Sequence, residues 1–284
     1  MGALFGICGT DDAAILTYHG IYAGLHRGHE GAGICVAGGG ENFCCEKKPG
    51  VLSRVFDASQ LAKIPGRLAI GHTRSATCGE YNSVNLQPLV AETRCGMLAL
   101  AHVGHITNAP ELRRTLERRG AKFQSEIDSE VILQLIAHSR RPSLEGAFVE
   151  CLGMLEGAYS FVVLAKGQLI VARDRRGFRP LVYGKLENSG EEAWVFASET
   201  CCLDIVGAAP EGEVEPGEFV LVKDHGQPLK RFFASPQPGG PCAFEHVYVS
   251  RPDSVTFGRS VEDSRHDLGR RLAREHPVSA DIVV

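Results

Sequence analysis

An apolar run with no polar lead-in, Met1-Gly-Ala-Leu-Phe-Gly-Ile-Cys-Gly-Thr10, opens the chain and constrains its fold more than any other stretch. It reads as a strand with glycines where a side chain would block close approach. Some enzymes use residue one as nucleophile with its own α-amine as base, and an opening strand of this kind aims it. Met1 and Gly2 offer neither thiol nor hydroxyl. The run therefore predicts a fold built around the tip of one strand, with no reactive group standing on that tip.

The rest of the chain supplies partners for such a strand. Ile34–Ala37, Leu68–His72 and Met97–His102 read as further strands, the last two stopping at polar turns. Between the first two strands, Asp11-Asp12 can cap a helix carrying Ile15, Leu16, Tyr18 and Tyr22 toward a core. Helices follow from Asn108 to Gly120, from near Asp128 with Val131, Ile132, Leu135 and Ile136 on one face, and from Ser143 to Gly157. Strands return at Tyr159–Leu164, Gln168–Arg173, Leu181–Tyr183, Trp194–Ser198, Phe219–Lys223 and Leu229–Phe233. Strands, helices and strands again, joined by hairpin-sized turns, predict an α+β fold of mainly antiparallel sheets with helices packed outside. The segment Ser235-Pro-Gln-Pro-Gly-Gly-Pro241 reads as a linker. Beyond it, Phe244–Ser250 reads as a strand, Ser260–Arg274 as a capped helix and Asp281–Val284 as a final strand.

Composition excludes several classes of function. A net charge of −4 argues against a nucleic-acid or anionic-membrane partner. No apolar run approaches the roughly 18 residues of a membrane helix, and no signal peptide is legible, so a cytoplasmic protein is expected. Its ten cysteines include no CxxC pair and are expected to be reduced and mostly buried.

Three polar turns fall at strand ends, at 26–33, 71–77 and 102–108, where sites are commonly built on a rigid sheet. Arg74 could clamp a carboxylate, with a surface ion pair as the bland alternative. Asp128 could accept an ammonium or simply cap its helix. His72 and His102, by themselves, read as satisfied core histidines. From the residues alone the reading stops near a polar, amidohydrolase-like site.

Leu25-His-Arg-Gly-His-Glu-Gly-Ala-Gly33, Gly71-His-Thr-Arg-Ser-Ala-Thr77, Asn85-Leu-Gln-Pro88 and Ala101-His-Val-Gly-His-Ile-Thr-Asn108 resemble the class II glutamine amidotransferase domain. So do Ile127-Asp-Ser-Glu130, Arg173-Asp-Arg-Arg-Gly-Phe-Arg-Pro180 and Ala197-Ser-Glu-Thr-Cys201. More narrowly, Val214-Glu-Pro-Gly-Glu218 and Tyr248-Val-Ser-Arg-Pro-Asp-Ser254 are similar to the amidophosphoribosyltransferase family, which starts de novo purine synthesis.

The resemblance implies a four-layer αββα N-terminal-nucleophile hydrolase fold over residues 1–234. Residues 235–284 would be the linker and the truncated edge of a phosphoribosyltransferase domain. It implies glutamine as ligand, with Arg74 on the α-carboxylate, Asp128 on the α-ammonium, and His72 and Thr77 in the same substrate pocket. In the family a Cys-Gly start supplies the thiolate, and the Asn and Gly of His-Asn-Gly form the oxyanion hole.

This chain departs from the family at the reacting centre. Counting back from His26 puts Gly2 in the nucleophile slot, and Val103 replaces the oxyanion Asn while Gly104 remains. His105 stands where the family has Asn or Glu, and Ile127 where it has Ser. Cys8-Gly9 repeats the family's opening dipeptide, but a start there would delete the strand that positions it. The family's Asp-Asp-Ser phosphate loop has no counterpart in the sequence. Full-length members use Mg and, in some cases, a [4Fe-4S] cluster. Cys242 matches one cluster-ligand position without its partners, so no cofactor is expected in this chain. The expected protein is an amidophosphoribosyltransferase-like glutaminase half with impaired or absent turnover. The alternative is a non-catalytic homologue that binds glutamine or a family partner, associating with a full-length homologue or with itself.

Overall fold

A computed structural model describes residues 2–38, 43–75, 82–188 and 191–282. In chain order it contains β1 (Gly2–Cys8), α1 (Ala13–Ala23), β2 (Gly31–Ala37), β3 (Phe43–Pro49), α2 (Leu52–Val55), α3 (Ala58–Leu61) and β4 (Leu68–Arg74). Next come β5 (Leu89–Thr93), β6 (Gly96–Ile106), α4 (Ala109–Arg118), α5 (Glu130–His138), α6 (Leu144–Met154), β7 (Gly157–Ala165) and β8 (Gln168–Arg173). The remainder is β9 (Val182–Asn188), β10 (Glu191–Ala197), α7 (Thr200–Asp204), β11 (Ala209–Glu213), β12 (Glu218–Lys223), β13 (Leu229–Phe232), β14 (Val255–Thr256), β15 (Arg259–Ser260) and α8 (Val261–Glu275).

Seven strands form one sheet in the order β11-β9-β10-β1-β4-β2-β3, and six form another in the order β13-β12-β8-β7-β6-β5. The opening strand sits inside the first sheet, antiparallel to both β10 and β4. Its alternate residues enter two different cores, which is why the sequence is apolar throughout rather than alternating. Leu4 and Cys8 face Ala99, Val103 and Val162 of the second sheet, while Phe5 and Ile7 pack with α1 and α7 through Ile21, Cys202 and Leu203. On the far side, α4, α5 and α6 cover the second sheet, with Val131, Ile132, Phe148 and Leu152 against Leu100, Phe161 and Ile170. These are the four layers αββα that the sequence led us to expect. No helix among the described residues is long and apolar enough to cross a membrane.

Local readings needed correction where tertiary contacts decide. The fully buried face of α1 is Ala13, Ala14, Thr17, Gly20 and Ile21, with Leu16 and Tyr18 packed half-buried at its edge. A Cβ on Gly20 would collide with the Phe5 ring, so small residues let this helix lie directly on β1. Tyr22 is left exposed and stacks on Tyr18. Phe244–Ser250 is not a strand: Glu245–Val249 is a helical turn, anchored by the buried Glu245 carboxylate. Asp281 and Ile282 are irregular, and the rest of that predicted strand lies outside the described residues. The cysteines are not all reduced. Cys35 and Cys45 oppose each other directly across β2 and β3, with Cα atoms 4.1 Å apart, and form a disulfide. Cys8, Cys151, Cys201 and Cys202 are buried thiols as expected, whereas Cys44 and Cys95 are exposed.

Candidate functional site

The two strands whose polar ends were read as turns run on as strands. β4 continues to Arg74 and β6 to Ile106, so the residues of interest stand on sheet rather than on loops. Register then brings them together. Gly2 pairs with Arg74 across β1 and β4, and Leu4 pairs with His72. Even-numbered residues of β1 and β4 face the second sheet, as Leu4 and Ile70 show, so Gly2, His72 and Arg74 share one end of the inter-sheet space. Val103 meets that space from β6.

Each side chain is held by identifiable neighbours. Arg74 is buried rather than at the surface, and its guanidinium donates to the Asn85 carbonyl oxygen. Asn85 in turn accepts the Glu126 N–H at 3.0 Å, which ties the segment before α5 to the 82–86 turn. His102 is clamped by Gln87, which accepts its backbone N–H at 2.6 Å, and its Nδ1 lies 2.7 Å from Ser129 Oγ. Asp128 accepts the Ile106 N–H at 2.8 Å and lies 3.4 Å from His105 Nδ1. Asp128 therefore does not cap α5; it joins the end of β6 to the start of that helix. Thr77 lies outside the described residues.

Neither buried histidine is fully satisfied. His72 Nδ1 and His102 Nε2 have no hydrogen-bond partner among the described residues. Burial lowers both imidazoles, His72 to about 3 with the charges of His102 and Arg74 adding to the effect, so both are neutral at pH 7. Expected as satisfied core histidines, they instead aim bare nitrogens into the packed interior.

Backbone crowds Gly2, which the sequence reading put in the nucleophile slot. A Cβ on Gly2 would collide with the Thr73 carbonyl oxygen and sit 2.9 Å from His72 Nε2. Val103 is buried in the apolar inter-sheet cluster and offers no donor. Gly104 has φ +146°, and a Cβ there would strike the Ala158 carbonyl oxygen, so this position needs glycine.

A buried charge cluster beneath the β1 tip was missed by sequence reasoning. Arg27 Nε donates to the Gly2 carbonyl oxygen at 3.1 Å, while its terminal nitrogens bind Glu199 and grip Glu245 bidentately at 2.9 Å. All three charged side chains are fully buried. Burial would lower the Arg27 guanidinium, but the two carboxylates hold it above its usual range. Burial likewise opposes ionisation of Glu199, yet hydrogen bonds from His26 and the Arg27 charge bring it down to about 2. The signal was present: Arg27 and Glu199 both lie in the glycine-rich or apolar stretches singled out above, where a charge requires a partner. Glu245 carried no such signal.

No group of three or more His, Cys, Asp or Glu among the described residues is arranged to hold a metal ion. Cys242 is half-buried, with its backbone N–H on the Phe178 carbonyl oxygen.

Comparison with known proteins places this geometry in context. Residues 72–204 match the glutamine amidotransferase domain family. The chain is 42% identical over 281 residues to the amidophosphoribosyltransferase of Bacillus subtilis, covering 99% of this chain and 58% of that protein. It is 43% identical over 291 residues to the amidophosphoribosyltransferase of Rhizobium etli, covering 99% of this chain and 57% of that protein. Among solved structures it superposes on the B. subtilis glutamine phosphoribosylpyrophosphate amidotransferase complexed with ADP and GMP. The TM-score is 0.90 at 40% identity, covering 98% of this chain and 59% of that one. The chain thus spans less than three fifths of the length of these relatives.

Proposed function

Because the chain belongs to the amidophosphoribosyltransferase family through its glutamine amidotransferase domain, we propose that it binds glutamine at the Gly2–Arg74 end of the sandwich without hydrolysing it. The observation that carries this reading is the packing at Gly2, where backbone occupies the space that a nucleophile's Cβ would need.

The roles follow from the chemistry of the groups present. The buried Arg74 guanidinium is a strong partner for the ligand's α-carboxylate. Asp128 takes the α-ammonium, held in place by the Ile106 N–H. The ligand's side-chain amide then extends toward Gly2 and Val103, where neither a nucleophile nor a side-chain donor meets it. In comparable enzymes, losing one oxyanion donor costs about 10²–10³ in rate. Losing the nucleophile costs on the order of 10⁶. Neutral His72 beside the slot has no thiol to deprotonate.

We assign to these residues the glutamine side of the family's chemistry. The test is ammonia release from glutamine by the purified protein against a heat-denatured control, alongside calorimetric titration with glutamine. Binding without ammonia release is expected. Ammonia above the control would overturn the loss of turnover, and absence of binding would overturn the retained pocket.

A further inference from the structure

His105 stands near the end of β6, opposite Ala158 of β7, and its imidazole is 58% exposed. Its Nδ1 lies 3.4 Å from Asp128 Oδ2, the same oxygen that accepts the Ile106 N–H. The other oxygen, Oδ1, has among the described residues only Ser129 Oγ at 3.5 Å, a long contact that leaves it the better acceptor for a ligand. Asp128 is one carboxylate with a charge of −1. When His105 is protonated, a ligand ammonium would be the second cation brought to it.

We infer that His105 is a specificity-determining residue of this site, competing with a ligand's α-ammonium for Asp128. The inference rests on the glutamine-site reading above and deepens it. With His105 neutral the site takes α-amino acids. With His105 protonated, Asp128 already has its counter-ion, and the site favours carboxylates of the same shape that lack the amine.

The surrounding groups leave this contest to His105 and Asp128. On its own strand, burial disfavours the charged form of His102, while the Asp128 carboxylate acts in the opposite direction. On β4, across the inter-sheet space, His72 is neutral, and Arg74 donates to the Asn85 carbonyl oxygen. From the start of α5, the buried Glu130 carboxylate is occupied by the Gln124 and Ser125 N–H groups. β7 presents Ala158 opposite, and the turn before it carries Glu156, which is exposed to solvent.

Two probes separate the possibilities: L-glutamine, and glutaramate, which is glutamine without its α-amine. Each is titrated calorimetrically into the wild type and His105→Asn at about pH 8 and about pH 5.5. Wild-type Kd for glutamine should rise about fivefold at the lower pH, the effect of one partly exposed ion pair. Glutaramate binding, and glutamine binding to His105→Asn, should change less than about twofold. Equal pH dependence in the two proteins, or parallel weakening of both ligands in the wild type, would overturn the inference while leaving the glutamine site intact. Failure of both proteins to bind glutamine at the higher pH would overturn the glutamine-site reading and the inference with it.

Discussion

Arg27 and Gly2 are joined by a hydrogen bond of 3.1 Å from the guanidinium Nε to the glycine carbonyl oxygen. The tip of the opening strand is thus fastened by a buried cation that two carboxylates hold in place. Gly2, the position we propose as the nucleophile slot, is tied down through its backbone.

Truncating the cation leaves the buried Glu199 and Glu245 carboxylates to His26 and Arg179 respectively, and removes the group that both share. Arg27→Ala should destabilise the protein by about 3–5 kcal/mol, the usual result of removing one partner from a buried charge group. Urea denaturation with an unchanged slope would measure it. A loss below about 1 kcal/mol, in the range of surface pairs, would show that the cluster is solvated in solution.

Acid should act in two stages. His72 is lowered to about 3 and His102 is lowered in the same direction, so the unfolded chain binds protons more readily below its ordinary imidazole value of about 6.5. Their contribution is fully present above that pH and is lost as pH falls through the interval down to 3. Glu199, at about 2, adds stability that is present above pH 4.5 and lost as pH falls toward 2. Melting temperature against pH should therefore decline from near 6.5 and steepen below 4.5, and His72→Asn should flatten the first part.

Glycine at 104 is required by backbone shape. Gly104→Ala places an alanine at φ +146° against the Ala158 carbonyl oxygen. A loss of at least about 2 kcal/mol is expected. Thermal unfolding of this variant beside Ala99→Gly on the same strand would separate strain from the ordinary cost of altering a strand residue.

Restoring the family's chemistry should carry a cost in stability. Gly2→Cys forces the Thr73 carbonyl to move, and Val103→Asn buries an amide in an apolar cluster. The double variant should unfold more easily by roughly 1–3 kcal/mol yet release ammonia from glutamine above the wild-type level. Gly2→Cys alone should be about 10²–10³ slower than the double variant. If the double variant binds glutamine no better than a variant lacking Arg74, the assigned pocket is wrong.

The layer order was legible because it depends on patterns that repeat along the chain. The apolar opening strand, the alternating hairpins after residue 157 and the capped helices at 143 and 260 each announce themselves locally, and Ser143 and Ser260 do cap their helices. The ends of β4 and β6 were not legible as strand. On β6, Gln87 and Ser129, distant in sequence, bond to His102, and on β4 the Thr73 hydroxyl accepts the Ala3 N–H while Arg74 donates to the Asn85 carbonyl oxygen. Asn108 looked like a cap but spends its amide on Met154 and Glu156, bridging α4 to the turn before β7. Residues 244–250 alternate like a strand, yet Glu245 is drawn inward by Arg27 and Arg179, and the backbone coils to deliver it. In each case a tertiary partner outweighs the local pattern.

Glu199 also accepts the Arg251 N–H and the Ser254 hydroxyl, while Glu245 takes Arg27, Arg179 and Ser250. One charge cluster therefore ties residues near 27, 199 and 245–254 into a single cooperative folding unit. We propose that this unit continues past the proline-rich segment that reads as a linker, through at least Ser254. Trimming the chain at 234 would strip the Arg27 cation of one carboxylate and expose the cluster. The slowest-exchanging amides of β1 and those at Arg251 and Ser254 should then open together, as parts of one transition.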